Sequence, residues 1–411
     1  MKILVLNCGS SSIKFELFDM NYEEPIIRGL LDRIGTQYTV ISYEFKKKGR
    51  ARDIKQVRYI KDHKEGIQLI IDILLDKSSR IVNNKGEIEA VGHRVVHGGE
   101  KFEESALINT DVKNEIKRCF ELAPLHNPHN LRGILACERI LPKSKQVAVF
   151  DTAFHQRMPP RAFFYALPYR LYKKYGIRRY GFHGISHFYV LTRLSKIFKK
   201  PQSKIKVLSC HLGNGASIAA ISGGRSKDTS MGFTPLEGLV MGTRCGDIDP
   251  YIPIYLMTKE ELTLNAISSI LNNQSGLYGL SGVSNDMREI VRHAKKFKGR
   301  AKLAIEVFAY RVKKYIGAYL AILNGVDAIA FTGGIGEHSH LVRKIILEGL
   351  DNLGIKIDLK KNRNILGKEG LISNKESKIK IYVVPTNEEL IIARETERVL
   401  LHSRSLQKRA R

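Results

Sequence analysis

One pattern of hydrophobic and polar positions occurs twice along the chain. Residues 2–18 contain an apolar run, then a turn rich in glycine and serine, and then Ile13, Phe15 and Leu17 at alternate positions. This pattern predicts a buried strand, a tight turn and a second strand. Residues 206–222 repeat it about 200 residues later, and further short strands and helices are predicted after each hairpin. The sequence therefore predicts an α/β protein of two duplicated units with a cleft between them.

Other apolar segments predict further elements. Residues 88–96 and 146–150 are expected to be buried strands that end in polar loops. Residues 301–323 carry apolar side chains at spacings of three and four, which predicts a long helix. Residues 327–331 form a predicted strand that runs into a glycine-rich turn and then a helix. Because no low-complexity linker interrupts the chain, any hinge between the domains is expected to be short.

Composition narrows the class of protein. A chain of 411 residues is too long for one compact core and is about right for two domains. Hydrophobic residues make up 43% of the chain, as in an ordinary globular protein. No apolar run approaches the roughly 20 residues of a membrane helix, and the first apolar stretch is too short for the core of a signal peptide. Five scattered cysteines without C-x-x-C spacing argue against disulfides and zinc. We expect a cytoplasmic protein with no membrane partner.

The net charge of +27 is compatible with three kinds of partner: nucleic acid, an acidic membrane surface or small anionic substrates. The basic clusters lie in predicted loops or at the C-terminus, without interleaved aromatic residues or a recognisable nucleic-acid module. The simplest interpretation is solvated surface charge, and no nucleic-acid partner is expected. These clusters are residues 46–48, 295–296, 360–361 and 404–411.

The phosphate-binding motifs of common nucleotide enzymes are missing from the sequence. It has no G-x-x-x-x-G-K-[ST] loop, no strand-to-helix G-x-G-x-x-G and no protein-kinase catalytic loop. Three other turns of small residues, 7–14, 211–217 and 333–336, could cradle phosphates instead, because glycine lets the backbone approach an anion and Lys14 adds a charge. One such turn alone is typical of a plain hairpin. Three of them, two related by duplication, favour a phosphate site.

Cationic and imidazole side chains occupy loops after predicted strands. Arg94 and Arg244 stand beside apolar residues, which suits capture of a carboxylate or a phosphoryl group. A lone histidine in such a loop is more often structural, but several polar loops at strand ends mark the ligand crevice of an α/β protein. The loops are residues 93–99, 123–128, 150–155, 181–184 and 242–247.

Ten segments between about residues 2 and 396 resemble the acetate kinase family in order and spacing. They read VLNCGSSSIKF, GHRVVHGGEKF, LAPLHNP, VFDTAFHQRMP, YGIRRYGFHGISH, HLGNGASIAAI, DTSMGFTPLEGLVMGTRCGDIDP, GVSNDMREI, FTGGIGEHS and PTNEELIIARET. Three positions depart from the family pattern: His338 replaces a common asparagine, Ile185 a usual threonine and Arg157 a usual neutral residue.

The resemblance implies the superfamily of acetate and sugar kinases, Hsp70 and actin. Its two domains are ribonuclease-H-like (actin-like) units with an active site in the interdomain cleft. The implied domains are residues 1–154 with 389–411, and residues 155–388, which carry most nucleotide contacts.

The activity that the resemblance implies is reversible, magnesium-dependent transfer of a phosphoryl group from ATP to acetate. Acetyl phosphate and ADP form by direct in-line transfer, Mn²⁺ can replace Mg²⁺, and the protein is expected to be a homodimer.

By position, the resemblance assigns Asn7 and Glu388 to the metal and Asp151, His183 and Arg244 to catalysis. It assigns the acyl substrate to Arg94, His126, Val96, Leu125, Phe182 and Pro235. It assigns the nucleotide to Lys14, His211, Leu212, Gly213, Asn214, Gly215, Asp286, Met287, Arg288, Gly334, Ile335, Gly336, Glu337 and His338.

Two alternatives remain open at this point. A propionate kinase, or another short-chain carboxylate kinase, would carry nearly the same motifs and differ in its acyl pocket. A non-enzymatic nucleotide switch of the actin or Hsp70 type would need the nucleotide loops. It would have no use for Arg94 and Arg244 beside a small apolar pocket.

Overall fold

The computed structural model describes residues 1–47, 50–77, 79, 81–296 and 299–409. Two of the basic clusters reach beyond this part of the chain, at Lys48 and at residues 410–411. The chain divides into two compact units: unit 1 comprises Met1–Gln156 and Asn387–Arg411, and unit 2 comprises Arg157–Thr386. The domain boundaries expected from the family resemblance stay a prediction.

Both units contain strands and helices. The strands are β1 (Lys2–Cys8), β2 (Ser12–Asp19), β3 (Glu24–Asp32), β4 (Thr39–Lys47), β5 (Arg50–Arg58), β6 (Ile88–Val95), β7 (Ala106–Leu107), β8 (Lys145–Phe150), β9 (Lys206–Leu212), β10 (Ala216–Ser222), β11 (Arg225–Thr229), β12 (Ala328–Thr332), β13 (Gly370–Leu371) and β14 (Lys380–Val383). The helices are α1 (His63–Leu75), α2 (Thr110–Arg118), α3 (Asn127–Ile140), α4 (Pro160–Phe163), α5 (Tyr169–Tyr175), α6 (Gly184–Phe198), α7 (Tyr251–Lys259), α8 (Leu264–Ser269), α9 (Gly276–Ser281), α10 (Met287–Lys296), α11 (Arg300–Leu323), α12 (Gly333–His338), α13 (His340–Leu347), α14 (Leu359–Asn364) and α15 (Glu388–Arg409).

Each unit is built on one mixed sheet, and the two sheets share a strand order. The order is β5-β4-β3-β2-β1-β6-β8-β7 in unit 1 and β11-β10-β9-β12-β14-β13 in unit 2. In each sheet three antiparallel strands are continued by two strands that run parallel to the first. The two predicted hairpins are β1–β2 and β9–β10. The repeated order confirms the duplication and the ribonuclease-H-like α/β fold.

The core of unit 1 lies on both faces of β1. The Leu4 and Leu6 side chains pack with those of α1 and α3, because alternate residues of a strand point to opposite faces. Val5 pairs with Gly92 of β6, on the face against which α15 packs. A β-carbon at Gly92 would lie 2.8 Å from the Ile392 side chain, so glycine is needed for α15 to approach this closely.

The core of unit 2 surrounds β9, β10 and β12, whose positions are almost all buried. Helix α11 packs on β9 and β10 and buries Ile305, Phe308 and Val312 at helical spacing, as predicted. Strand β12 runs into Gly333, which has φ 75° and would place a β-carbon 2.9 Å from the Leu212 carbonyl oxygen. Glycine therefore permits the sharp entry into α12.

Across the described part of the chain, the structure contains no helix with the length and apolar character needed to cross a bilayer.

Candidate active site

Polar side chains of unit 1 gather where the parallel strands β1, β6 and β8 end. Asn7 and Arg94 lie near the ends of β1 and β6, and Asp151 directly follows β8. Neighbouring parallel strands bring such positions to one edge of the sheet. Arg94 Nη2 donates to Asp151 Oδ2 at 2.9 Å, and Arg94 Nη1 donates to Asn7 Oδ1 at 3.4 Å. The structure thus brings these three predicted residues together.

Carboxylates compensate the charge of the Arg94 guanidinium, but not all of its nitrogens form hydrogen bonds. Its side chain is 17% exposed and that of Asp151 only 1%. Burial disfavours the charged form of Arg94, but the Asp151 and Glu388 carboxylates outweigh burial and raise its pKa. Arg94 Nε is buried and has no hydrogen-bond partner among the described residues. One donor of this arginine therefore lacks a hydrogen-bond partner.

Carboxylates of α15 extend the same cluster. Burial raises the pKa of Glu388 to about 7; Arg94 opposes this shift, and the Asp151 carboxylate adds to it. Lys14 Nζ lies 2.7 Å from Glu389 Oε1 and 3.8 Å from Glu16 Oε1. Lys14 is therefore already engaged with carboxylates within its own unit.

The donor set of this cluster fits a magnesium ion. Mg²⁺ takes oxygen ligands, commonly one or two carboxylates with water and phosphate oxygens completing the shell. The amide oxygen of Asn7 and the carboxylate of Glu388 are donors of this type. Because Asp151 raises the pKa of Glu388, their mutual repulsion would be relieved by a cation. Within the described residues, no group of three or more His, Cys, Asp or Glu side chains could hold a metal unaided.

Buried amides at the start of α3 hold these strand ends in place. Asn130 Oδ1 accepts from the Val96 N–H at 3.1 Å, and Asn130 Nδ2 donates to the Cys8 carbonyl at 2.8 Å. Asn130 thereby joins the end of β1 to the end of β6. Val96 is 3% exposed, whereas Leu125 is 64% exposed and His126, which precedes α3, is partly buried. The role of these last three residues as an acyl site stays a prediction.

Two histidines of unit 2 stack against each other. His183 adopts φ 56° just before α6, and His211 lies on β9. Their ring centroids are 4.3 Å apart, with an interplanar angle of 23°. A β-carbon at Gly215 would lie 3.2 Å from His183 Nε2 and 3.8 Å from Arg244 Nη1. These two predicted catalytic groups therefore converge on the space that the glycine leaves open.

Arg244 has a different environment from Arg94. Its Nη1 donates to the Pro235 carbonyl at 3.4 Å and lies 3.9 Å from the Met241 sulfur. Burial lowers the pKa of Arg244, and no carboxylate within the described part of the chain forms an ion pair with it. A partly buried cation without a counterion is suited to receiving an anion. Phe182, beside His183, is 2% exposed.

A cavity of about 860 Å³ opens in unit 2. Its lining includes the predicted nucleotide residues Gly213, Asn214, Asp286, Met287, Arg288, Gly334, Ile335 and His338, but not His211, Leu212, Gly215, Gly336 or Glu337. The sequence reasoning missed Asn285, Val291, Lys295, Ser339, His340 and Leu341, which complete the lining.

The positions that were missed carry a partial signal in the sequence. Val291 and Lys295 follow Met287 at intervals of four on α10, so helical spacing alone would have placed them on the same face. Ser339, His340 and Leu341 directly follow the glycine-rich turn and join α12 to α13. Ser339 is the last residue of the FTGGIGEHS segment, whereas no motif distinguishes His340 and Leu341 from ordinary helix-capping positions.

Short polar contacts fix the loops around this cavity. Arg288 Nη2 binds Asp286 Oδ2 at 2.6 Å, and this contact lowers the pKa of Asp286. Asn214 accepts from the Gly242 N–H at 2.8 Å through its backbone oxygen. Glu337 Oε1 accepts from Gly333 N at 2.8 Å and from Thr386 N at 3.1 Å. Glu337 thus supports the turn from within instead of lining the cavity.

Comparisons with known proteins agree over almost the whole chain. The sequence profile of the acetokinase family matches residues 2–394. The acetate kinase of Halothermothrix orenii is 56% identical over 400 residues, which are 97% of this chain and 100% of that protein. The crystal structure of Porphyromonas gingivalis acetate kinase has a TM-score of 0.91 at 44% identity, covering 97% of this chain and 99% of that one. A propionate kinase structure from Francisella tularensis has a TM-score of 0.89 at 45% identity, with the same coverage.

Proposed function

The chain belongs to the acetokinase family, and on that premise we propose that it reversibly transfers a phosphoryl group between ATP and acetate. One observation carries the proposal: His183 Nε2 and Arg244 Nη1 converge on the open space at Gly215. A cation and an imidazole around one point suit the charge of a transferring phosphoryl group.

The cavity of unit 2 is proposed as the adenine nucleotide site. Its volume of about 860 Å³ is within the range of small-molecule sites. Met287, Val291 and Leu341 offer apolar surface to a base, and the backbone of residues 213–214 and 334–335 offers amides to phosphates. Gly213 and Asn214 of the turn at 213–215 line the cavity, and Gly215 of the same turn lies beside Arg244 Nη1. ATP bound in the cavity could therefore present its terminal phosphate to Arg244 and His183.

The acyl carboxylate is proposed to bind Arg94. Its guanidinium is held by Asp151 and Asn7, and the exposed part of it supplies a charge-assisted donor. Val96, two residues further on, is buried and held by Asn130, so it provides a fixed apolar contact for a short acyl chain.

Magnesium is proposed at Asn7 and Glu388, where it would neutralise charge on the phosphates. The residues of this chain position the two substrates, and direct in-line transfer needs no covalent intermediate. Asp151 is not proposed as a general base, because carboxylic acids ionise near pH 4 and acetate arrives as an anion. Asp151 instead holds Arg94 in place.

A propionate kinase is the second candidate, since the likeness to the Francisella protein is as close as that to the Porphyromonas acetate kinase. The two activities differ by one methylene of the acceptor, which a pocket discriminates by about 1–3 kcal/mol. A non-enzymatic switch is disfavoured, because it would not need an uncompensated arginine beside a histidine.

A homodimer in the cytoplasm is proposed, and an apolar surface of unit 2 supports the assembly. Helix α7 has no buried residue and presents large apolar side chains to solvent, as does the start of α8. Exposed surface of this kind commonly marks a protein interface. The side chains are Tyr251 (64% exposed), Ile252 (41%), Ile254 (55%), Tyr255 (52%) and Leu264 (73%).

The proposed function is tested by incubating the purified full-length chain with MgATP and either acetate or propionate, and measuring ADP and acyl phosphate together. We expect equal amounts of both products, a higher kcat/KM with acetate, and no turnover in EDTA. ADP formation without acyl phosphate, or turnover that does not depend on a carboxylate, would contradict the proposal.

A further inference from the structure

Arg244 lies in a loop, residues 238–247, whose two ends are hydrogen-bonded to each other. The Asp247 N–H donates to the Gly238 carbonyl at 2.9 Å, and Asp247 Oδ1 accepts from the Gly238 N–H at 2.8 Å. Inside the loop, the Met241 N–H donates to the Arg244 carbonyl at 3.2 Å. A loop with closed ends has few conformations, so the groups that fix its ends limit the positions open to Arg244.

Two side chains of helix α11 hold these ends. Arg311 Nη1 donates to the Gly238 carbonyl and to the Asp247 carbonyl, at 3.1 Å each. The Tyr315 hydroxyl donates to Asp247 Oδ2 at 2.8 Å. Arg311 and Tyr315 are four residues apart and therefore lie on the same face of the helix. Because α11 packs on β9 and β10, these contacts tie the loop to the core of unit 2.

The carboxylate of Asp247 is occupied by these contacts. Its Oδ2 atom accepts from Tyr315 and lies 3.5 Å from Arg311 Nη1, while its Oδ1 atom accepts from the loop backbone. Burial and the Asp247 carboxylate raise the pKa of Tyr315, so its hydroxyl keeps its proton at neutral pH and remains a donor. The carboxylate nearest to Arg244 along the chain is thus paired with α11, which leaves the charge of Arg244 uncompensated.

The middle of the loop is held by main-chain contacts. The Gly242 N–H donates to the Asn214 carbonyl at 2.8 Å, and the Met241 carbonyl accepts from the Leu277 N–H at 2.8 Å. Asn214 also lines the nucleotide cavity. A shift of the loop ends would therefore move the loop against the turn that borders the bound nucleotide.

We propose that Tyr315 and Arg311 are positioning residues for phosphoryl transfer, which fix the ends of the 238–247 loop and thereby the place of Arg244. Neither residue lines the nucleotide cavity, so their effect on the reaction passes through the loop. The proposal rests on the proposed function for the identity of the anion that Arg244 receives.

Two tyrosines of α11 provide a matched comparison. Tyr319 lies about one turn beyond Tyr315, with 5.6 Å between the ring centroids, and its hydroxyl contacts Asp228 Oδ1 at 3.5 Å, outside the loop. Tyr315→Phe should lower kcat about fivefold or more, with KM for ATP within about twofold of the wild type, because a hydrogen bond that places a transition-state donor is lost. Tyr319→Phe removes the same hydroxyl and should leave kcat within about twofold.

Variants of Arg311 test the second contact. Arg311→Met removes the donors but keeps most of the apolar stem, and should lower kcat about tenfold or more. Arg311→Lys should recover most of this loss, because an ammonium group can donate to both loop carbonyls.

Three kinetic outcomes would overturn the positioning role. If Tyr319→Phe lost as much kcat as Tyr315→Phe, the cause would be general loosening of α11. If kcat stayed unchanged in Tyr315→Phe and in Arg311→Met, the loop would hold Arg244 without them. A rise in KM for ATP alone would assign both residues to nucleotide binding.

A double-mutant cycle tests whether the effect passes through Arg244. Calorimetric titration of inorganic phosphate compares the wild type, Tyr315→Phe, Arg244→Gln and the double variant. Tyr315→Phe should weaken phosphate binding about threefold or more when Arg244 is present, and by less than about 1.5-fold in Arg244→Gln. Equal weakening in both backgrounds, or none in either, would refute the proposal. This measurement needs no turnover, so its failure is distinct from absence of acetyl phosphate formation, which would refute the proposed function.

Discussion

Arg94 and Arg244 are both partly buried arginines, but their electrostatic environments are opposite. Arg94 contacts Asp151 and is close enough to Glu388 for these carboxylates to raise its pKa despite burial. Arg244 touches a carbonyl oxygen and a thioether, and burial alone lowers its pKa. Two similar side chains are thus prepared for different tasks. Arg94 is neutralised and fixed in place, whereas Arg244 keeps an uncompensated charge for an incoming anion.

Removing either arginine should have the largest effect on turnover. Arg94→Ala and Arg244→Ala should each lower kcat by roughly 10²–10³, because each removes a charged donor to the reacting groups. Arg244→Lys should recover only part of the loss, since lysine keeps the charge but not the planar fork of donors. Steady-state assays on folded protein, checked by circular dichroism, measure this. Near-wild-type kcat in either alanine variant would remove that arginine from the site.

The same two variants should differ in stability. Arg94→Ala removes the arginine that forms an ion pair with the buried Asp151 carboxylate, which is expected to lower the free energy of unfolding by about 3 kcal/mol. Arg244→Ala leaves no carboxylate unpaired among the described residues, so it should be neutral or slightly stabilising. Denaturant unfolding at pH 7 distinguishes them. If both variants lost the same stability, the contrast between a compensated and an uncompensated arginine would not hold.

Asp151→Asn removes a carboxylate that compensates the charge of Arg94, so that the environment of Arg94 becomes more like that of Arg244. We expect this variant to lose activity at every pH. Because a carboxylate near the proposed metal ligands is also lost, the variant should require more magnesium. The chemical step of the wild type, followed in single turnover, should show almost no solvent deuterium effect, since acetate has no proton to remove. A large isotope effect in the wild type that vanished in Asp151→Asn would make Asp151 a general base.

Val96→Ala should have the smallest effect and should be confined to the acyl substrate. The variant should shift kcat/KM toward propionate and butyrate, by no more than the 1–3 kcal/mol that about one methylene contributes. KM for ATP should stay unchanged, because Val96 lies two residues beyond Arg94, in a different unit from the nucleotide cavity. A variant that kept the parental ratio of acetate to propionate would show that Val96 does not line the acyl pocket.

The sequence predicted the elements that carry periodic apolar residues. The hairpins β1–β2 and β9–β10 and the long helix α11 were predictable because burial requires apolar side chains at regular spacing. The convergence of Asn7, Arg94 and Asp151 follows from their positions at the ends of parallel strands.

Other features of the site have no such signal. Ser217 lies in β10, where almost every position is buried, so nothing in the pattern marks it as the partner of two histidines. The contrast between Arg94 and Arg244 depends on carboxylates far apart in the chain, which come together only through the fold. Leu125, expected to wall the acyl pocket, is 64% exposed, and its role stays a prediction.

Binding of inorganic phosphate tests most directly whether Arg244 is the arginine kept for an anion. Calorimetric titration of phosphate into the wild type, Arg94→Gln and Arg244→Gln, without nucleotide and at constant ionic strength, compares the two arginines with matched neutral replacements. We expect Arg244→Gln to weaken phosphate binding about tenfold or more, whereas Arg94→Gln should leave it within about twofold. Loss of binding in Arg94→Gln with retention in Arg244→Gln would contradict this expectation.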